Sequence, residues 1–127
     1  MKKINVFLFL LVLIFVSCSN TNEISQEEDQ QYLLDMFAEI EALANSEQCI
    51  NASEWLITAI GAKACGGPKG YMAYSKNIDT TFFLQKVKEY TTAQDEFNKK
   101  WNVVSDCSIP QEPLSVTCVE GSPIFVY

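Results

Sequence analysis

Apolar positions along this chain change their spacing several times, and each spacing predicts a different element. Ile4 to Val16 is an apolar run broken only by Asn5. As a helix it would cover about 20 Å, short of the ~30 Å hydrocarbon core of a bilayer, so it is not expected to be a permanent spanning helix. Ser19 to Asp29 is polar, lacks aromatic residues and carries Glu23, Glu27, Glu28 and Asp29, the composition of a flexible, solvated tether. From about Gln30 to Ser46, Leu33, Phe37, Ile40 and Ala44 recur at helical spacing, with Met36 and Leu43 widening the stripe. A shorter helix is expected from Asn51, a capping residue that Glu54 could reach back to. It would carry Trp55, Leu56, Ala59 and Ile60 and stop at Gly61. Downstream, Phe83, Val87, Tyr90, Gln94, Phe97 and Trp101 alternate between steps of four and three, predicting a helix over Thr80–Asn102 with Asp79 as its N-cap. Gln94 interrupts that otherwise apolar seam. The seam reads as core packing against the first helix rather than as a coiled coil. Asn102 to Pro113 is turn-rich, and Ser115 to Tyr127 reads as a terminal β-hairpin around Glu120-Gly121-Ser122-Pro123, with Pro123 at the turn or on an edge strand.

The first residues add an address. Lys2 and Lys3 precede the apolar run, and Ser17 stands directly before Cys18, the layout of a secretory signal. Phe15-Val16-Ser17-Cys18 resembles the lipobox of bacterial lipoproteins. That resemblance implies cleavage before Cys18, lipidation of its thiol, and attachment to a membrane through the lipid. Ser19 does not resemble the inner-membrane retention signal of some Gram-negative lipoproteins, so the outer membrane is the expected destination. The organisation is then a signal peptide over 1–17, a lipidated, flexible tether over 18–29, and one globular domain over 30–127.

Loss of Lys2 and Lys3 with the signal leaves seven lysines against sixteen acidic residues, a formal charge of −9. Such a field repels phosphate backbones, so nucleic acid is not an expected partner and a cationic protein suits it better. With no arginine or histidine in the chain, neither a Ser-His-Asp triad nor a Cys-His pair is available, and no cofactor is implied. The expectation is a domain that binds rather than catalyses.

Setting Cys18 aside leaves Cys49, Cys65, Cys107 and Cys118, an even number in a small exported domain and therefore two disulfides. The spacing does not suit a structural zinc site, whose ligands come in tight pairs, so no metal is expected. Of the three possible connectivities, Cys49 with Cys65 and Cys107 with Cys118 is favoured because each closes a local loop.

The densest unusual segment is Ala64-Cys65-Gly66-Gly67-Pro68-Lys69-Gly70-Tyr71-Met72-Ala73-Tyr74-Ser75. Gly61, Gly66, Gly67 and Gly70 are four of the chain's five glycines, which implies positive φ values or a close backbone approach. One reading is a tight turn pinned by Cys65 and leading into an extended run whose tyrosines cover the core. The other is a rigid presentation loop, with Gly66, Gly67, Pro68, Lys69, Gly70, Tyr71 and Tyr74 as binding residues. It is not a P-loop, because the required glycine–lysine spacing is absent. The stretch, together with Ser105-Asp106-Cys107, looks like that of small exported bacterial proteins.

The resulting expectation is an α+β, disulfide-stapled domain with two longer helices, one short helix and a C-terminal β-hairpin. Its expected role is a lipid-anchored cell-envelope binding or accessory module with a protein or glycan partner. The alternative role is an inhibitor or immunity-type protein directed at a basic hydrolase or toxin.

Overall fold

Ser25 opens the first helix. A computed structural model describes residues 25–127, and in it the Ser25 hydroxyl accepts from the Glu28 amide at 3.2 Å while the Glu28 carboxylate accepts from the Ser25 amide at 2.9 Å. This reciprocal capping box starts α1 (Gln26–Ala44), and Glu27, Glu28 and Asp29 lie in its first turn, where the helix dipole favours negative charge. The run Gln26–Asp29, expected to belong to the tether, is therefore helical. Its acidity suits a helix start as well as it suits a solvated linker. The expectations for residues 1–17, for Cys18 and for the tether up to residue 24 fall outside the described residues.

Asn51 does cap, its Oδ1 accepting from the Ser53 amide at 3.1 Å, but it caps only a single 3-10 turn, Ala52–Glu54. The short helix expected beyond it is instead β1 (Trp55–Ile60), antiparallel to β2 (Gly70–Ser75), with Trp55 opposite Ser75 and Ile60 opposite Gly70. The physical reason lies in the segment itself. Ile57, Thr58 and Ile60 are β-branched and stiff at χ1, and a strand gives apolar residues on both faces something to pack against. Glu54 does not turn its carboxylate back to Asn51, although its amide donates to Asn51 O at 3.1 Å. Its carbonyl accepts from the Lys76 amide at 2.8 Å and its carboxylate from Asn77 Nδ2 at 3.3 Å, closing the open end of the strand pair.

The β1–β2 hairpin forms the middle layer. Ile60, Met72 and Tyr74 pack against α1 and α2 (Thr80–Lys100), in a core centred on Phe83 and Ile40, which are 0% and 1% exposed. Tyr74 stacks on Phe83 with ring centroids 4.7 Å apart. Asp79 is the N-cap of α2, as expected, accepting from the Phe82 amide at 3.0 Å. Trp55, Ile57 and Ala73, on the alternate strand positions, pack instead against Val116, Cys118 and Phe125. Those belong to a second antiparallel hairpin, β3 (Ser115–Val119) and β4 (Ser122–Val126). Its connecting residues Glu120 and Gly121 both have positive φ, 50° and 80°, as a two-residue type I′ turn requires. The class is α+β, with two long helices and a C-terminal hairpin. Among the described residues no helix is long and apolar enough to cross a membrane.

The disulfides join Cys49 to Cys118 and Cys65 to Cys107, with Cα atoms 5.2 and 5.5 Å apart. The favoured local pairing is thus incorrect. Cys49 follows α1 and donates its amide to Gly121 O at 2.8 Å, so the fold lays it beside the terminal hairpin. Cys65 lies in the β1–β2 loop and meets the chain leaving α2. Short loop closure decides which cysteines meet in an unfolded chain; here tertiary packing decides. The bonded residues are 69 and 42 positions apart, and in the chain-entropy model each such closure contributes roughly 4 kcal/mol.

Candidate binding groove

Residues Gly61–Lys69 connect β1 to β2, and α2 supplies the partners for where this loop begins. Thr91, Gln94 and Asn98 lie on one face of that helix. Gly61 N donates to Thr91 Oγ1 at 3.0 Å, Ala62 N donates to Gln94 Oε1 at 3.0 Å, and Asn98 Nδ2 donates to Ala62 O at 2.9 Å. The glutamine that breaks the apolar seam therefore satisfies the Ala62 amide, which would otherwise be orphaned next to the core. Gly61 has φ 75°, and a Cβ there would lie 2.5 Å from Gln94 Oε1 and 3.0 Å from Lys69 Cβ. Both backbone conformation and space demand glycine.

The rest of the loop is pinned as firmly. Gly66 and Gly67 adopt φ of 92° and 81°, which lets Gly66 N donate to Lys63 O at 2.9 Å and Lys63 N donate to Gly67 O at 3.0 Å. Lys69 N donates to Ile60 O at 3.1 Å. From the other side, Lys63 Nζ donates to Asp106 Oδ1 at 2.7 Å and to Ser108 O at 2.6 Å, flanking the Cys65–Cys107 bond. The Lys63 ammonium, seconded by the Ser108 hydroxyl, holds the Asp106 carboxyl below its ordinary pKa.

Between this loop, the first half of α1, the last half of α2 and the chain after it runs an open groove of about 840 Å³. Leu33, Ile60 and Tyr90 are buried residues along it, and Leu34, Phe37 and Phe97 also line it. The Phe37 and Tyr90 rings meet at 5.6 Å. Burial pushes the Tyr90 phenol above its ordinary pKa of 10.0, so it remains neutral at physiological pH. Gln26, Gln30, Lys63, Lys69 and Asp106 also border the groove. Lys69 is exposed, and its ammonium makes no hydrogen bond or ion pair with another described residue.

The residues singled out in the sequence divide between surfaces. Lys69, Gly70 and Tyr71 border the groove. Gly66, Gly67 and Pro68 border a second depression of about 480 Å³ with Thr91 and Asp95. Tyr74, expected among the binding residues, is 5% exposed and stacked on Phe83; it is a core residue, in agreement with the reading in which this run covers the core. Cys49, Cys65, Cys107 and Cys118 are all disulfide-bonded, and Cys18 lies outside the described residues. The helical walls were missed. One available signal was Leu34, apolar yet off the buried stripe, and 55% exposed in the fold. The other was Gln94, whose place in an apolar seam already asked for a polar partner. Compared with family models, curated proteins and solved structures, the chain matches none.

Proposed function

We propose that this protein is a lipid-anchored, non-catalytic binding domain of the bacterial cell envelope, attached through Cys18 at the outer membrane, and that it seats an envelope component in the groove between α1, α2 and the β1–β2 loop. The observation that carries the reading is the groove: an apolar concavity of about 840 Å³, within the size range of small-molecule sites, beside a loop tied down by Cys65–Cys107. Two disulfides in a small domain fit an oxidising compartment. Two experiments test it. Metabolic labelling with a fatty acid should mark the parent protein and not Cys18→Ser; label retained in the variant would remove the anchor. A photo-crosslinking residue at Leu34 should capture a ligand in intact cells, whereas one at the exposed Thr117 on the terminal hairpin should not. Equal capture at both, or none at either, would remove the groove.

A second reading, an inhibitor of a basic hydrolase, draws on the loop tip. Ala64 to Gly67 is exposed yet immobilised by backbone bonds and a disulfide, the form expected of an element that enters a cleft without losing entropy. The acidic charge would speed its encounter with a basic enzyme. Salt-sensitive binding to lysozyme-like enzymes, lost on Lys69 substitution, is its signature.

A further inference from the structure

We infer that the groove takes a free single-chain amphiphile with one anionic head group, such as a fatty acid, the apolar chain lying along Leu33, Leu34, Phe37 and Phe97 and the head meeting the Lys69 ammonium. The inference rests on the groove being the binding seat and names its ligand class.

A ligand rich in hydroxyls or amides must find partners for each group it buries, because an unpaired polar group costs more than a paired one returns. Around the β1–β2 loop the groove's polar groups are already engaged, and Gln26 and Gln30 are exposed residues of α1. Gln94 Oε1 and Asn98 Nδ2 are committed to the Ala62 backbone, and Lys63 Nζ to Asp106 and Ser108. Asp106 is in turn occupied by Lys63 and by the Ser108 hydroxyl, which donates at 2.6 Å. The Phe37 and Tyr90 rings pack on one another. Among the groove's charged groups Lys69 alone has no partner in the described residues.

Its position is fixed by more than exposure. The Lys69 amide is bound to Ile60 O at 3.1 Å, and its Cβ lies beside Gly61, opposite Tyr90 and Gln94. The side chain therefore leaves the backbone at the edge of the apolar floor. One cation against an apolar trough complements one anion on an apolar chain. A polyanion is opposed by the acidic field of the rest of the chain, and a cationic amphiphile would place its charge against Lys69.

The test titrates the full chain carrying Cys18→Ser, which keeps the protein's own acyl groups out of the measurement, with dodecanoate below its micellar concentration, using calorimetry. Saturable binding is expected. Lys69→Gln should weaken it about tenfold, the loss of a single charge-assisted contact, and Leu34→Asp should abolish it. Leu34 is largely exposed, so both variants should retain the parent's far-UV dichroism. Dodecyltrimethylammonium, with the same chain and opposite charge, should bind at least tenfold more weakly than dodecanoate. Equal affinity for the two amphiphiles, indifference to Lys69→Gln, or no saturable binding would overturn the inference, as would displacement of dodecanoate by a neutral oligosaccharide or an uncharged apolar peptide with higher affinity. If dodecanoate fails while the Leu34 crosslink in cells succeeds, the ligand class is wrong and the groove stands; failure of both removes the site itself.

Discussion

Among the described residues, eight buried side chains lie between the helices and one face of the β1–β2 hairpin, from Leu33 and Ile40 to Phe83 and Tyr90. The opposite face, toward the β3–β4 hairpin, holds a smaller apolar cluster of three buried residues, Cys49, Trp55 and Val116. The helix side is therefore an ordinary apolar core, where each large side chain contributes about 1.5–3 kcal/mol on burial. The hairpin side is thinner. The outer surface of β3–β4 carries Val119, Ile124 and Val126, each between 39% and 50% exposed, and a two-stranded hairpin that buries one face is marginal by itself. What holds it is the Cys49–Cys118 bond, with the Cys49 amide on Gly121 O. The covalent link stands where the apolar contact runs out, a common solution in domains too small to enclose every element.

If that division is real, damage to the two sides should differ in kind as well as in size. Phe83→Ala empties the centre of the larger core, where the native ring is 0% exposed, and should cost about 3–5 kcal/mol. Urea unfolding followed by helical dichroism should show the loss as a shift of the whole transition. Removing Cys49 and Cys118 together, as alanines, should cost roughly 2–4 kcal/mol, with the damage confined. Hydrogen exchange should accelerate at Ser115–Val126 while α1 and α2 keep most of their protection. Uniform acceleration across helices and hairpin would mean that the two sides form one cooperative unit, and the contrast would collapse.

The boundary between the sides runs through Gly61, where β1 ends against α2. Gly61→Ala requires a positive φ of a residue with a Cβ and drives that Cβ to 2.5 Å from Gln94 Oε1. The expected cost is roughly 1–3 kcal/mol for the backbone alone. Adding Gln94→Ala relieves the clash but leaves the Ala62 amide without its acceptor. A double-mutant cycle should therefore show coupling without full rescue, and complete additivity would mean that the loop moves away from α2 at little cost.

How much of this was legible beforehand depends on whether the deciding force was local. The stripe from Phe83 to Phe97 and the Asp79 cap defined α2 almost to its ends, because a 3.6-residue period and a cap are properties of one segment. The Glu120-Gly121 turn likewise announced β3–β4. The acidic run Gln26–Asp29 did not reveal itself, since charge near a helix N-terminus and charge in a tether look alike unless Ser25 and Glu28 are read as a pair. Trp55–Ile60 was misread because Asn51 is a true cap for one turn, while the β-branched residues that end the helix come just after it. Disulfide pairing and the division of the glycine segment between two surfaces were beyond local reasoning. Both depend on which elements stack on the β1–β2 hairpin. The groove follows the same rule: its loop edge was anticipated through Lys69, Gly70 and Tyr71, whereas the walls from α1 and α2 exist only once the helices dock.

The smallest effect concerns how that docking is held at the mouth of the groove, and pH separates it from the core. Asp29, in the first turn of α1, accepts from Lys100 Nζ at 2.6 Å and from Trp101 Nε1 at 2.9 Å at the far end of α2. Those two donors, Lys100 foremost, hold its carboxyl below the ordinary value of 3.8. A carboxyl with a lowered pKa in the folded state adds stability that is fully present above its unfolded value and is lost as pH falls through the folded one. The contact lies at the surface, with the Lys100 side chain half exposed, so its contribution should be slight and screened by salt. Asp29→Asn should therefore be marginally less stable than the parent near neutrality, with the difference shrinking as pH drops below about 4. The resonance of the Trp101 indole N–H should titrate in the parent over that acidic window and stay flat in the variant. An indole that titrates identically in both would assign the acid response to other carboxyls. The first turn of α1 would then be held against α2 by apolar contact, as the rest of the helix pair is apart from the Glu39–Lys86 ion pair at 3.1 Å.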